Sequence, residues 1–427
     1  MKGGVFFACL LSQAVSVLGQ NVQYKDVQSI FQQKCATCHR PGEAAPFSLL
    51  TYEDIAKRTA FIKKVIGSGY MPPWRADPHY RAFANDRRLT DTERDLLLRW
   101  IDAGAPKWDK ERVPLSETGF NRPPDLKLRI DSPFLLPGDN TERFVVFKLP
   151  YVLPEGENVE AIEFYSDNKK LVHHINYGFY DVPDTSLHIF DGGKLIDGNT
   201  PGPAVKEFDP FKKNFVYYTG WVPGASIESY PTGFGWTLPK RGVILLTAHF
   251  SAQGADERSI VGVNLFFTKK PVRRSIRIIS LGSGGIGEDA IMPPLMILPG
   301  HVNTFNLKVR TPKDQSILYI WPHMHYTGKE FTAFAVTPAG DTIPLVHIPN
   351  WDYRWQEMYR VKNLVRLPAG SEVHVVGTYD NTADNPANPF SPPRIMFSTG
   401  NMISTMEMMT FVMIYVNGED GDEKISL

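Results

Sequence analysis

"SILYIWPHMHY", Ser316 to Tyr326, decides how this chain is read. An apolar run ends in His323 and His325, two positions apart, and a β-strand projects residues at that spacing from one face. Taken as a strand, the stretch offers a bidentate grip for a metal ion; taken as a chance pair, it offers nothing, and both readings stand on these residues alone. Runs of the same kind recur after about Asp125: "RFVVFKL", "VILLTAHF" and "SEVHVVGTY", parted by Gly, Pro, Asn and Asp clusters. The 34 Gly and 34 Pro suit many turns and few long helices. About 300 residues of this character exceed one ordinary sandwich. We therefore expect two all-β, jelly-roll-like sandwich domains, residues 126–270 and 271–418, and an acidic tail over 419–427.

Before these strands the periodicity is helical. Ile55, Thr59, Ile62 and Ile66 step by four, three and four, which makes one helix face. In "LTDTERDLLLRWIDAG", Thr90 and Glu93 form a capping-box pair, Leu97, Trp100 and Ile101 share a face, and Gly104 marks the stop. A small all-α domain over 22–107 follows, joined to the β region by a polar, proline-bearing linker at 108–125.

Residues 1–19 have Lys2, an apolar core and small residues before "QNVQYKD", the layout of a secretory signal peptide and short for a span. Cys9 belongs to that segment, since almost no apolar run precedes it as a lipoprotein signal requires. No other stretch reaches the ~18 apolar residues of a membrane span. The expected location is outside the cytoplasm, in a bacterial periplasm, without a stable membrane span. Lys plus Arg and Asp plus Glu both number 46, so no overall field draws nucleic acid, and "KKPVRR" reads as a solvated linker.

Only Cys35 and Cys38 remain to the exported chain, too few for a disulfide framework. "KCATCHR" gives Cys-x-x-Cys-His. Two thiols at this spacing bond the two vinyl groups of haem c, and His39 is placed as an axial ligand. A four-thiolate zinc site lacks its second cysteine pair, and a redox dithiol lacks a βαβ setting. Met71 in "GSGYMPPWR" is the methionine between Cys38 and the linker, so it is the expected sixth ligand; His79 competes. With "CATCH", the "YMPP" loop and the helix bearing Trp100, residues 22–107 resemble a class I c-type cytochrome domain.

In "LVHHINYG", His173 and His174 are adjacent, the wrong spacing for one face of a regular strand. If both hold one ion, the strand bulges there or the rings use different nitrogens. His249 ends an apolar strand. His188, His301, His347 and His374 are isolated and carry no functional reading. "STMEMMTFVMIYV" is mostly core, with one methionine available as a soft ligand.

The order His-His, His, His-x-His, Met resembles the copper type II, ascorbate-dependent monooxygenase family, the group of dopamine β-hydroxylase and peptidylglycine α-hydroxylating monooxygenase. "HMHYTGKEFTAFAV" and "WQEMYRVKNLVRLPAGSEVHVVGTYDNT" are similar to stretches of that family's second copper domain. The resemblance implies two coppers: one on His173, His174 and His249, the other on His323, His325 and Met408, with Met406 and Met409 as neighbouring alternatives. It further implies that His323, His325 and Met408 form the catalytic site, where O₂ and a small organic substrate meet and a C–H bond is hydroxylated. Thioether sulfur favours Cu(I). The family's animal members are disulfide-stapled and draw on ascorbate; this chain has no cysteine left after haem attachment and carries its own haem, so a periplasmic donor or an ascorbate-like reductant is expected. Two rivals remain: a haem and copper electron-transfer or copper-binding protein without turnover, and a zinc hydrolase, for which no His-Glu-x-x-His motif occurs.

Overall fold

The N-terminal apolar periodicity produces four short α-helices in the computed structural model, which describes residues 22–107, 120–199, 206–225, 227–398 and 405–427. The expected signal segment at 1–19 and residues 108–119 of the linker lie outside the described residues. Helix α1 (Tyr24–Ile30) runs into a π-helical turn that ends at Cys35; α2 spans Tyr52–Ala56, α3 Thr59–Gly67 and α4 Asp91–Asp102. Val27, Phe31, Ile55, Ile62, Ile66, Leu97 and Trp100 form their common core. At the start of α4, Glu93 N–H donates to Thr90 Oγ1 (3.2 Å) and Thr90 N–H to Glu93 Oε2 (2.7 Å), the reciprocal cap read from the sequence. Gly104 takes a φ of +83° just past its end.

The single face expected over Ile55–Ile66 is split between α2 and α3. Arg58 Nη1 donates to Asp54 O (2.9 Å), the carbonyl that a continuing helix would offer to Arg58 N–H, and Arg58 N–H turns to Ile55 O (2.9 Å) instead. Ile55, Ile62 and Ile66 are nevertheless all buried in the same core.

The rest of the described chain is all-β, in several sheets. A five-stranded sheet runs in the order Leu195–Asp197, Arg143–Val152, Arg241–Phe250, Val172–Asp181, Asn214–Trp221. A six-stranded sheet contains Leu126–Arg129, Val261–Phe267, Glu157–Ser166, Phe234–Leu238, Arg274–Ser275 and Glu228–Ser229. Phe147, Ile175, Phe179 and Leu246 from the first meet Phe164, Val263, Leu265 and Trp236 from the second in one apolar cluster. Two four-stranded sheets follow: Arg277–Gly282, Thr410–Asn417, Gln315–His323, Tyr359–Leu367, and Val302–Arg310, Glu372–Asp380, Gly328–Val336, Thr342–Ile348.

The first of these two is apolar on both faces, and its period of two sorts the residues. Phe411 and Met413 face the core shared with the last sheet, whereas Val412, Ile414 and Val416 join the cluster of the preceding β region. Trp321 belongs to that joint. A methyl group on Gly220 would fall 2.3 Å from Trp321 Cη2, so the strand Asn214–Trp221 has glycine where the indole lies.

Residues 74–88 of the N-terminal region form an arm packed on the second β region. Trp74, Ala76 and Phe83 are part of its core, Phe83 bridges to Val361 in strand fashion, and Ala84 N–H donates to Arg360 O (2.7 Å). Arg75 pairs with Asp352 at 2.9 Å, and Asp77 N–H donates to His347 O at 2.8 Å. No helix among the described residues is long and apolar enough to cross a membrane.

Candidate haem site and metal centre

The adjacency problem at His173 and His174 is solved by a bulge. Along Val172–Asp181 the register with Arg241–Phe250 runs His174 opposite His249, then Val172 opposite Phe250, so His173 is the extra residue. One added residue bends the strand and re-aims side chains. As a result, ligand atoms of His173, His174 and His249 all lie within 4.8 Å of one another, a spread one ion can bridge. His173 Nδ1 and His174 Nδ1 are 3.0 Å apart, and the His249 ring centroid lies 4.7 and 4.9 Å from theirs.

His323 is the last residue of Gln315–His323, and His325 follows Met324, which is fully buried in the core beneath. Each imidazole is oriented through one nitrogen: His323 Nδ1–H donates to Gln356 Oε1 (2.6 Å) and His325 Nδ1–H to Met406 O (2.6 Å). Both therefore present Nε2 as the bare nitrogen, the arrangement common to metal-bound histidines. The two rings are 5.0 Å apart, and His174 lies 5.9 Å from His323. The histidines of the two β regions thus form one contiguous cluster.

Burial depresses these imidazoles. Desolvation lowers His173 and His325 to about 3 and His323 to about 4, with neighbouring His249 adding to the effect at His173 and His323 to that at His325. His174 is driven well below the usual range by the same cause. All four are neutral at pH 7, the form that binds metal. His249 is 0 % exposed; its Nε2 has no hydrogen-bond partner, although Glu142 Oε2 lies 3.1 Å away outside the alignment for one.

Met408 is buried and sits one residue from Glu407, which anchors the loop. The Glu407 carboxylate accepts from His325 N–H (2.9 Å), Thr327 N–H (2.7 Å), Thr327 Oγ1–H (2.7 Å) and Met408 N–H. Burial lifts this carboxyl to about 7 against the four donors that favour its ionised form. Met409 and Met413 are core residues, and Met406 contributes its carbonyl to His325.

Several residues here carry no signal in the sequence. Tyr353 ties the two β regions together: its hydroxyl lies 3.2 Å from His249 Nδ1, and its ring stacks 4.8 Å from His173 and stands 5.8 Å from His325. Tyr326 Oη–H donates to Glu142 Oε1 at 2.7 Å across the same boundary. Gln356, Glu407, Glu142 and Tyr353 are single polar or aromatic positions without period. Only Glu407, set between two methionines, offered a hint.

In the N-terminal region His39 Nδ1–H donates to Phe47 O (3.1 Å), which again leaves Nε2 bare. Desolvation lifts the Cys35 thiol to about 12 even though the residue as a whole is only partly buried, unlike the acidified thiol of a redox dithiol. Met71 follows α3, its N–H donating to Val65 O (3.1 Å). His79 is exposed and lies on the arm that packs against the second β region. A cavity of about 460 Å³ runs along the motif between Thr37 and Arg40 on one side and Lys169, Trp221 and Gly224 on the other. Cys38 backs onto Gly224 so closely that a methyl group there would fall 2.5 Å from Sγ. Of the isolated histidines, His347 contacts Glu330 (2.9 Å) and Asp77 (3.5 Å), and His374 contacts Glu372 (2.8 Å). Both are accounted for as structural residues.

No curated protein sequence matches the chain. Among solved structures, PNGF-II in a P21 space group is 9% identical over 67% of this chain and 65% of its own length, with a TM-score of 0.28. The infectious bursal disease virus VP2 subviral particle is 11% identical over 71% and 79%, with a TM-score of 0.17. This chain therefore spans under two thirds of PNGF-II, and overlaps this loose bear on neither architecture nor activity. Residues 22–101 match the family model for cytochrome c oxidase, cbb3-type, subunit III. That match, laid over the Cys-x-x-Cys-His motif and its four-helix setting, makes the N-terminal region a c-type cytochrome domain, with the haem c and electron transfer that such a domain implies.

Proposed function

We propose that the chain is an exported, haem-fed copper monooxygenase that hydroxylates a C–H bond of a small organic molecule with O₂, working in a bacterial periplasm on electrons from a periplasmic donor or an ascorbate-like reductant. The observation that carries the reading is the convergence, within one buried cluster, of five histidines from two β regions that also carry the packed cytochrome domain. In this reading the two β regions are sandwich domains, each contributing one copper site.

Cys35 and Cys38 bond the haem, His39 ligates it through Nε2, and Met71 is the sixth ligand in preference to His79, because a thioether suits an electron-transfer haem. His173, His174 and His249 hold one copper; His323, His325 and Met408 hold the other. The donor chemistry fits: neutral imidazoles with a bare nitrogen and an orphaned, buried His249 Nε2 are what a copper ion requires, and a thioether suits its reduced state. When bound, the two coppers supply the one-electron chemistry by which O₂ is reduced. Gln356 and the Met406 carbonyl orient His323 and His325 through Nδ1, while Glu407 fixes the backbone of both His325 and Met408. Tyr353 and the depth of the cluster keep water from these nitrogens.

The deep burial of His249 and His325, 0 % and 2 % exposed, also favours a second reading, an electron-transfer protein that never admits substrate. The experiment is to count haem and copper in purified protein and to follow O₂ uptake with candidate substrates under a reductant. Two coppers per haem with substrate-dependent uptake that Met408→Leu abolishes supports the oxygenase; uptake indifferent to substrate and to Met408→Leu leaves the carrier.

A further inference from the structure

The strap Asp352–Met358, "DYRWQEM", lies between the cytochrome domain and the histidine cluster, and its side chains divide between the two. Asp352 pairs with Arg75, and Trp355 packs on Tyr70 beside Met71 with ring centroids 5.7 Å apart. Glu357 pairs with Arg87, and Met358 O accepts from Asn85 Nδ2 (2.9 Å). Facing the other way, Tyr353 meets His173, His249 and His325, and Gln356 accepts from His323 Nδ1–H.

One line through this strap is unbroken. Arg87 Nη1 and Cys38 Sγ meet over the same face of Gly224, and Arg87 donates from Nη1 to Gly224 O (2.9 Å) and pairs through Nη2 with Glu357. Glu357 is joined by a single peptide to Gln356, and Gln356 Oε1 is 2.6 Å from His323 Nδ1. Glu357 and Gln356 are buried, 6 % and 7 % exposed, and Arg87 is half-buried beside them. A buried Arg and Glu pair costs desolvation, and replacing both by apolar residues is often neutral or stabilising, so stability alone is weak reason for having it here.

We propose that Arg87, Glu357 and Gln356 form the electron route from the haem to the copper held by His323 and His325, entering at Cys38, the point of haem attachment. Electronic coupling decays far less through covalent and hydrogen bonds than across gaps, and beyond the contact of the guanidinium with Cys38 Sγ this line has only bonded steps. The transfer balances without protons: one electron leaves ferrous haem, which becomes ferric, and reduces Cu(II) to Cu(I); no bond forms or breaks. The route deepens the proposed function and rests on its haem and copper assignments.

The test uses the full-length protein with haem and copper, anaerobic and without substrate. A light pulse with a flavin reductant reduces the haem, and its ferrous absorption band and the Cu(II) paramagnetic resonance signal are then followed together. In the wild type both should decay at a rate independent of protein concentration. Gln356→Met, and separately the charge-free pair Arg87→Met with Glu357→Leu, should each slow the decay severalfold. Arg75→Leu, which breaks the other bridge of the same strap, should leave the rate within about twofold. Haem potential in Gln356→Met and the resonance line shape in the Arg87 and Glu357 pair should match the wild type, since Gln356 touches no haem-binding residue and neither Arg87 nor Glu357 touches a copper ligand. Wild-type rates in Gln356→Met with both metals retained, equal slowing in Arg75→Leu, or no haem-to-copper transfer in the wild type would each overturn the route. Because no oxygen or substrate takes part, a protein that passes this test yet hydroxylates nothing loses the oxygenase reading and keeps the route.

Discussion

Replacing Glu407 by Gln tests whether one carboxylate holds the second metal loop together. Its two oxygens accept from four donors, with His325 N–H on Oε2 and Thr327 N–H and Oγ1–H on Oε1. An amide has one accepting oxygen, so in its better orientation it serves Thr327 and turns its NH₂ toward His325 N–H. The His325 N–H then lacks an acceptor, at about 1–3 kcal/mol. At ~2–4 °C per kcal/mol for a β region of this size, the melting temperature of the copper-free protein should fall by about 4–8 °C. Copper affinity at the His323, His325 and Met408 site should fall by roughly 10–100-fold, as for other groups that orient ligands. Scanning calorimetry gives the first and competition against a chelator the second. A melting temperature within about 2 °C of wild type would refute the satisfaction argument, and an unchanged copper affinity would refute the positioning argument independently.

Gly224→Ala should lower the haem-to-protein ratio, read from absorbance, because the position has a φ of +81° and its new methyl would crowd Cys38 Sγ and Arg87 Nη1. Gly220→Ala should lower the melting temperature by driving a methyl into Trp321, at about 1–3 kcal/mol of overpacking; a neutral result would show that the two β regions are not tightly joined there. On acidification the copper-free protein should lose stability between about pH 6.5 and pH 4. In that window the unfolded chain takes up protons that His173, His323 and His325, held at about 3 to 4, refuse, at ~1.4 kcal/mol per group and pH unit. Thermal melts at stepped pH should show the slope, and copper loading should flatten it. His173→Ala should reduce copper bound by metal analysis, whereas His374→Ala should not.

The local chemistry of the fold was legible. The Thr90 and Glu93 cap, the stop at Gly104 and the alternation of Val412, Met413 and Ile414 each follow from residue type and period. The helix break at Arg58 was not, because it depends on a side chain competing for one carbonyl. Adjacency of His173 and His174 required a bulge or a change of ring nitrogen, and register against His249 and Phe250, a tertiary property, selects the bulge. Trp74 and Phe83 have helical-domain neighbours in sequence yet belong to a β core, since the partners of this arm, as in Arg81 to Pro344 and Arg75 to Asp352, lie 263 and 277 residues away and leave no local trace. Gln356, Tyr353 and Glu407 stayed hidden for the same reason: each acts through one contact, and a single contact has no periodicity.

The arm at residues 74–88 has a consequence for biogenesis. Its partners are synthesised more than 260 residues after it, so at ~5–20 residues per second Phe83 waits on the order of 15–55 s before Val361 exists to cover it. Gly224, which shields Cys38 in the finished molecule, is likewise made long after the cysteine. The apolar side chains of the arm and the Cys38 sulfur thus stay uncovered until the β regions have folded against them.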